Sequence, residues 1–377
     1  KKRFAFIGEV IKVVVKKAEP RREVKKHEVL KAVIVRQKRP YKRQDGSYLR
    51  FDDNACCLIQ DNGTPKGNRV LGSVGKNRSN GQVFGLFNKE EREFYKFTSP
   101  WIIGFFLFIL GPMLASIIIS FTQWDIITPP EWVGIENYKE MVTKDPLFWK
   151  SLKVTLVFTF GLVPLQLILS LLVAVLLNQK VRGLSWFRTI FYLPTVLPIV
   201  ASSMLWLWIL NPSGLLNFFI RLLGIPAQNW LTSESLALPS IILMSLWGSF
   251  GISMIIFLAG LQGVPASLYE SAEIDGAGAW RKFFNITLPM ISPVIFFNFV
   301  MGVIGTFQVF TQGYLLTDGR PNNSTLFYVL YLYRNAFEYL NMGYASAMAW
   351  VLFVIIMAAT LFILRTSSLW VYYEVQR

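Results

Sequence analysis

Five ionisable side chains crowd into a short stretch between two long apolar runs. In LYESAEIDGAGAWRKFFNITLP, residues 268–289, they are Glu270, Glu273, Asp275, Arg281 and Lys282. Residues 235–269 before them and 283–317 after them contain no Asp, Glu, Lys or Arg. No nucleophile with a suitable base accompanies these charges, so the chemistry they suit is ionic pairing rather than catalysis.

The charged stretch cannot lie inside a membrane. Five ionisable residues at ~2.5–3.5 kcal/mol each near the bilayer centre would cost roughly 12–17 kcal/mol. Pro265 suits a first helical turn, Gly276 breaks the run, and a second short helix can extend to Pro289. We predict a helix–glycine–helix in water whose apolar side chains face a protein partner. The apolar side chains in question are Tyr269, Ala272, Trp280 and Phe283.

This stretch resembles the signature cytoplasmic loop of binding-protein-dependent ABC transporter permeases. That pattern is Glu-Ala-Ala, three residues, Gly, nine residues, then Ile-x-Leu-Pro. Ser271 replaces the first Ala, and the matching residues are Glu270, Ala272, Gly276, Ile286, Leu288 and Pro289. WVGIENYKEMVTKDPLFWKSLKVTLVFT, FYLPTVLPIVASSMLWLWILNPSGLLN and GYLLTDGRPNNSTLFYVLYLYRNAF are similar to the carbohydrate-uptake branch, so the resemblance covers about residues 90–377.

The resemblance implies how the loop would work. In that family it forms coupling helices that dock into a separate ATPase subunit, which binds ATP and Mg. Glu270 would pair with a basic residue of the ATPase, Gly276 would allow the bend, and Asp275 would cap the second helix. A second permease subunit and an extracytoplasmic solute-binding protein are the other implied partners. The alternative is that residues 265–289 are a plain solvated connection.

No residue pattern predicts an enzyme, a metal site or a bound cofactor. GSVGKNRS at residues 72–79 lacks the first Gly and the final Ser/Thr of a phosphate-binding loop. The only cysteines, Cys56 and Cys57, are adjacent, and the only histidine is His27. We interpret them as a buried cysteine pair and a surface histidine.

Six charge-free intervals predict an all-α membrane protein with six transmembrane helices. Each exceeds the ~20 residues that a helix needs to cross a bilayer. Pro194 and Pro198 predict a kink in the third, and we interpret 210–235 as an amphipathic surface loop. The intervals are 97–124, 154–179, 189–220, 235–269, 283–317 and 339–364.

Basic residues before the first interval predict the orientation. Lys89, Arg92 and Lys96 precede it directly, whereas the first basic residue after it is Lys139. Cytoplasmic flanks favour Lys and Arg, although the remaining loops do not decide the matter. We expect a multi-pass protein of the bacterial cytoplasmic membrane with both termini and the loop at 265–289 in the cytoplasm.

Amides in the fifth interval suggest a solute path. Asn298, Gln308 and Gln312 share one face of a continuous helix with Gly302 and Gly305. Amides both donate to and accept from sugar hydroxyls, but they equally suit bonds between closely packed helices. Both interpretations stay open. Trp247 in the fourth interval could add a stacking surface, although its position favours a packing role.

The N-terminal part differs from the rest. Residues 1–96 hold 24 Lys and Arg against 11 Asp and Glu, whereas the whole chain has 38 against 23. EVIKVVV, LKAVIVRQ, SYLRF and ACCLIQ predict short strands. Residues 1–75 resemble an incomplete ribosomal large-subunit protein L-fourteen, an RNA-binding β-barrel. The residues that would contact RNA are Arg36, Lys38, Arg39, Lys42 and Arg43.

The sequence therefore predicts a partial barrel at 1–75, a linker at 76–95 and a six-helix permease domain at 96–377. We interpret that domain as the permease subunit of an ATP-driven importer of a sugar or related solute. One alternative is an rRNA-binding protein with an extraneous membrane part. The other is a secondary transporter that needs no ATPase. The identity of the solute is not evident from these residues.

Overall fold

The computed structural model describes residues 5–16, 24–42, 48–60, 63–66, 84–179 and 182–372. The chain forms two compact units, Lys1–Leu110 and Gly111–Arg377. Arg43 and the GSVGKNRS motif lie outside the described residues.

The first unit begins with short β-strands, which confirms the predicted small β-rich segment. Strand β2 lies between β1 and β5 and is antiparallel to both, while β3 and β4 form a separate pair. Ala32 and Val35 of β2 are buried. The strands are β1 Val10–Val14, β2 Val29–Arg36, β3 Tyr41–Lys42, β4 Tyr48–Leu49 and β5 Ala55–Ile59.

The expectation of a buried cysteine pair is wrong for Cys56. Cys56 is exposed and Cys57 is half-buried, because neighbouring residues of strand β5 point to opposite faces of the sheet. Burial, and secondarily the nearby Cys56, raises the pKa of the Cys57 thiol. His27 lies at the surface, as expected.

Within the described residues, four helices are long and apolar enough to cross a membrane, and two bent helix pairs bring the number to six if each pair is one crossing. All of them overlap the predicted apolar intervals, which confirms a mainly helical protein with four to six candidate spans. The four are Phe94–Ile119, Pro146–Leu177, Glu234–Gln262 and Met342–Ser367, and the pairs are Leu184–Val196 with Ile199–Ile209 and Ala279–Met290 with Ser292–Phe307.

Among the described residues before the charged stretch, two short helices lie outside the candidate spans, Glu136–Thr143 and Leu215–Leu222. A π-helical turn, Phe106–Leu110, joins the first two helices, and a two-residue pair of strands, Thr122–Gln123 and Glu131–Trp132, follows them. The helices are α1 Phe84–Phe105, α2 Gly111–Ile119, α3 Glu136–Thr143, α4 Pro146–Leu177, α5 Leu184–Val196, α6 Ile199–Ile209, α7 Leu215–Leu222 and α8 Glu234–Gln262.

The third apolar interval is broken rather than kinked. Helices α5 and α6 meet at 98°, with Leu197 extended at φ −70° and ψ 133°. Pro198 follows, and a residue before proline is driven out of the helical region by the proline ring. The predicted effect of Pro194 and Pro198 is therefore present, and it is concentrated at the second of them.

Helices α4 and α8 form the centre of the second unit. The Ser170 hydroxyl donates to the Phe250 carbonyl at 2.9 Å, and Gln166 Nε2 donates to Ser253 Oγ at 3.0 Å. A Cβ atom at Gly161 would lie 2.9 Å from Ile242 Cδ1. Close approach at small residues combined with hydrogen bonds between helices is the pattern of helix association in membranes.

Asp145, just before α4, ties three helices together. Its Oδ1 accepts the amide hydrogens of Leu147 and Phe148 at 2.8 and 3.2 Å, which caps α4. Its Oδ2 accepts the hydroxyls of Tyr331, at 2.7 Å, and Tyr344. These tyrosines belong to α14 Tyr328–Tyr333 and α15 Met342–Ser367. One carboxylate thus joins segments far apart in the sequence.

The segment at 210–235 holds the short helix α7 and otherwise runs as a loop until α8 begins at Glu234, in agreement with the interpretation of a surface loop. The buried Asn217 donates to the carbonyls of Asn211, Pro212 and Gln228, and its Oδ1 accepts from the Gln228 amide and from Trp230 Nε1. Leu222 and Leu223 on the same segment are 69% and 76% exposed. Asn217 therefore fixes a hairpin whose apolar side chains point outward.

Candidate coupling site and solute path

The charged stretch folds into two short helices separated by a glycine turn, as predicted. Helix α9 spans Ala266–Ile274, and Gly276 adopts φ +72°. The Ala277 amide donates to the Ala272 carbonyl at 2.8 Å and the Gly276 amide to the Glu273 carbonyl at 3.0 Å. These two hydrogen bonds form a Schellman motif at the end of the helix. The motif requires a residue in the left-handed conformation directly after the C-cap.

The second helix continues to Met290 through a π-helical turn. Helix α10 Ala279–Lys282, the π-helical turn Phe283–Thr287 and helix α11 Leu288–Met290 follow one another without a break. In the turn, the Leu288 amide donates to the Phe283 carbonyl, five residues earlier. Pro289 has no amide hydrogen and would leave a gap in a regular α-helix. The wider turn lies just where the helix must accommodate that proline.

Two side-chain contacts hold the two halves of the stretch together. Lys282 Nζ lies 2.7 Å from Glu273 Oε1, and the hydroxyls of Tyr269 and Thr287 are 2.9 Å apart. The hydrogen bond from Lys282, and then its charge, lowers the pKa of Glu273 from its ordinary value of 4.5. The ion pair therefore stabilises the stretch above about pH 4.5 and is lost as the pH falls through the lowered pKa.

An apolar patch lies exposed beside these charges. Ile274 is 88% exposed, Trp280 77% and Phe284 55%. The rings of Trp280 and Phe284 are stacked with their centroids 6.1 Å apart, so the patch is ordered. Exposed aromatic surface next to fixed charges is typical of a protein docking site.

The predicted coupling residues lie on helix α9, at the turn that follows it, and on the second helix. Glu270, Asp275 and Gly276 are exposed, while Ala272 is half-buried. Ile286, Leu288 and Pro289 are half-buried on the second helix. The expected role of Asp275 is wrong: it ends α9, whereas Gly278 begins α10 without a side-chain cap. Asp275 lies too early because two further residues separate Gly276 from the second helix.

The predicted stripe of amides in the fifth interval does not form. Helix α12, Ser292–Phe307, ends before Gln308, and Gln312 belongs to the separate helix α13 Thr311–Leu316. Asn298 is buried and donates to the Val294 carbonyl at 3.0 Å within its own helix. A Cβ atom at Gly302 would lie 3.4 Å from Val163 Cγ1 of α4. Asn298 therefore forms a hydrogen bond within its own helix, and Gly302 packs closely against α4.

Helices α6 and α8 contain buried polar atoms without a partner, which the sequence did not reveal. Trp206 Nε1, Ser245 Oγ and Ser249 Oγ are buried and have no hydrogen-bond partner within the described part of the chain. The ring of Trp206 lies 5.9 Å from that of Trp247, edge to face. Ser245 and Ser249 are one helical turn apart on α8, so they share a face. Trp247 is two residues from each serine and therefore lies on the opposite side of α8. A serine pair in an apolar helix is only a weak sequence signal.

The basic residues of the N-terminal unit are partly engaged within the chain. Arg36 forms an ion pair with Asp53 at 3.2 Å. The Lys38 amide donates to Asn54 Oδ1, and the Arg39 carbonyl accepts from Gln37. Lys42 is exposed. The Arg36 side chain thus has an acidic partner, whereas these bonds of Lys38 and Arg39 use backbone atoms. An RNA contact of this group finds no support in the structure.

Two family models match the chain. Residues 166–373 match the binding-protein-dependent transport system inner membrane component, and residues 1–85 match ribosomal protein L14p/L23e. The first match lies within the predicted permease domain at 96–377, and the second overlaps the predicted N-terminal segment at 1–75.

Named relatives resemble most of the chain. The probable ABC transporter permease protein YesP of Bacillus subtilis is 46% identical over 284 residues, which cover 74% of this chain and 92% of the relative. The arabinooligosaccharides transport system permease protein AraP of Bacillus subtilis is 34% identical, over 75% of this chain and 91% of the relative.

A solved structure shares the fold. It is the bacterial alginate ABC transporter in complex with an alginate pentasaccharide-bound periplasmic protein, 25% identical with a TM-score of 0.64. The match covers 74% of this chain and 95% of the matched chain.

Proposed function

The chain belongs to the family of binding-protein-dependent transport system inner membrane components, and we propose that it is the membrane-spanning subunit of an ATP-driven sugar importer. In this proposal, residues 265–289, which we call the coupling hairpin, couple the chain to a separate ATPase. The observation that supports it most is the pair of helices joined at Gly276, with Trp280 and Phe284 exposed beside fixed charges.

The ATPase is the partner that suits this surface. A water-exposed hairpin that is held rigid by the turn at Gly276 and by the Glu273–Lys282 pair can transmit a displacement without deforming. Its second helix leads into α12 through one bend, so a pull on the hairpin reaches a candidate membrane span. ATP and Mg would bind to the ATPase, and this chain would contribute no catalytic group.

The other partners and the orientation follow from the same proposal. A second permease subunit would complete the path, and an extracytoplasmic solute-binding protein would deliver the solute; the related alginate transporter was solved with such a periplasmic protein. With six crossings, both termini and the coupling hairpin lie in the cytoplasm, as the basic flank of the first span favours.

The tryptophan pair of α6 and α8, Trp206 and Trp247, is our candidate for the solute path. A sugar ring can stack on an aromatic face and bond to hydroxyl and indole donors. Trp206 and Trp247 offer these aromatic faces and indole donors, and the unpartnered Trp206 Nε1 is costly in an apolar interior unless it meets water or a solute. The names of AraP and of the alginate transporter refer to arabinooligosaccharides and alginate, which supports a carbohydrate as the solute class.

Replacing Trp206 by Phe should weaken uptake without disturbing assembly. The change keeps the apolar ring and removes the indole donor, so the KM for uptake should rise by about fivefold, the factor for one hydrogen bond. Trp208→Phe is the matched control, since Trp208 lies on the same helix and is 67% exposed. Equal KM values in the two variants would remove Trp206 from the path.

Co-purification tests the proposed function as a whole. The tagged chain, extracted from membranes of cells growing on its solute, should bring down an ATPase subunit and a second membrane subunit. A stable, transport-competent preparation without any ATPase would contradict the proposal and favour a secondary transporter.

A further inference from the structure

The coupling hairpin joins the membrane span α12 at a single bent residue. The helical segment Ala279–Met290 meets α12 at 63°. Ile291, at the joint, has φ −91° and ψ 2° and is fully buried. A displacement that travels along the chain from the hairpin to α12 must pass through this joint, so whatever fixes the joint decides how much of the displacement α12 receives.

One buried hydroxyl bonds to both sides of the joint and to a third segment. Ser292 Oγ donates to the Pro289 carbonyl at 2.7 Å, across the bend. The same oxygen accepts the Tyr372 amide hydrogen at 2.8 Å. Ser292 is only 5% exposed, so water does not compete for these bonds. A hydroxyl has one hydrogen to donate and lone pairs to accept, and both functions are used here.

The segment that donates to Ser292 is itself folded against α12. After α15 ends at Ser367, the Val371 amide donates to the Ser367 carbonyl at 2.8 Å, which turns the chain back. The Trp370 ring lies 5.9 Å from that of Phe296, one turn into α12, and Val371 is 8% exposed. Residues 370–372 therefore contact the first turns of α12 by packing and by a hydrogen bond.

We propose that Trp370, Val371 and Tyr372 brace the joint at Ile291–Ser292, so that movement of the coupling hairpin is passed to α12 and α15 together. This inference rests on the proposed function. It assigns to the segment a positioning role: it touches neither solute nor ATPase and acts through Ser292. Without the brace, the hairpin would still dock on the ATPase, but the joint would flex and part of each ATP-driven stroke would be lost.

The test removes the hydrogen bond from the Tyr372 amide to Ser292 Oγ. Tyr372→Pro deletes the amide hydrogen that Ser292 accepts, whereas the matched control Tyr372→Ala keeps it. In the complete complex reconstituted in vesicles, the amount of solute transported per ATP hydrolysed should fall about fivefold in Tyr372→Pro relative to Tyr372→Ala, the factor for one hydrogen bond. Equal ratios in the two variants would overturn the proposal.

A second pair of variants tests the packing contact. Trp370→Ala removes the ring from Phe296, and Leu369→Ala is its control because Leu369 is 84% exposed. Trp370→Ala should also lower the solute transported per ATP while ATPase co-purifies as in the wild type. If either test variant instead loses the ATPase, the segment serves assembly and the proposal is wrong. A wild-type complex without ATPase would overturn the proposed function itself, so the two failures are distinguishable.

Discussion

Gly276→Val is expected to disconnect the chain from its ATPase while leaving it folded in the membrane. Gly276 has φ +72°, a conformation that costs an L-residue about 1–2 kcal/mol and a β-branched one more. No atom lies within 4 Å of a Cβ atom placed there, so the strain comes from the backbone alone. The turn would open, and the two helices of the coupling hairpin would no longer present one surface. Uptake should fall about 5- to 30-fold.

Gly276→Asn is the matched control for this experiment. Asparagine tolerates the left-handed conformation and adds a side chain of comparable bulk at the same exposed place. It should retain most of the uptake and the ATPase. Glu270→Lys, which reverses an exposed charge on α9 without touching the turn, should also lose the ATPase, while Glu270→Gln should lose less. If Val and Asn at position 276 behave alike, the backbone conformation of the turn is not what the ATPase requires.

Asp145→Ala is expected to destabilise the membrane unit strongly. It removes the cap of α4, worth about 1 kcal/mol, and leaves the hydroxyls of Tyr331 and Tyr344 without their carboxylate. Hydrogen bonds to a charged group contribute about 1.5–3 kcal/mol each, although they do not add fully. We expect a loss of about 3 kcal/mol, seen as a fall in melting temperature on the order of 5–10 °C in detergent.

Asp145→Asn separates the parts of this effect. The amide oxygen can still cap α4, and the amide nitrogen can donate to a tyrosine oxygen. The melting temperature should therefore fall by less than half of the decrease expected for Asp145→Ala. Tyr331→Phe and Tyr344→Phe remove one partner each and should each have an intermediate effect. A melting temperature of Asp145→Ala within 1–2 °C of the wild type, a change on the order of 0.5 kcal/mol, would show that the carboxylate does not hold the three helices.

Local features of this chain follow from local sequence. The charge-free intervals gave the helices, Pro198 gave the break between α5 and α6, and Gly276 gave the left-handed turn of the hairpin. In each case one residue restricts the backbone around it, so a short window holds the information. The strands β1, β2 and β5 are predictable for the same reason, because alternating β-branched residues favour extended chains.

Features that depend on distant residues, or on where a helix ends, were missed. Tyr331 and Tyr344 lie 186 and 199 residues after Asp145, and no local pattern indicates that they meet. Helix α12 ends at Phe307 without a proline at its end, so the sequence pattern predicts one continuous helix for the amides at 298, 308 and 312. Asp275 was assigned to the wrong helix because a glycine turn does not reveal how many residues follow it before the next helix begins.

Cross-linking tests the central claim, that the hairpin at 265–289 contacts an ATPase, most directly. In a Cys56→Ser, Cys57→Ser background, a single cysteine at position 274, where the native Ile is 88% exposed, is compared with one at position 127, where Ile is 80% exposed. In native membranes with a thiol-reactive cross-linker, Ile274→Cys should give an adduct that contains the ATPase, and Ile127→Cys should give none. Absence of the ATPase from the Ile274→Cys adduct in cells that still transport, or equal adducts from both positions, would contradict the account.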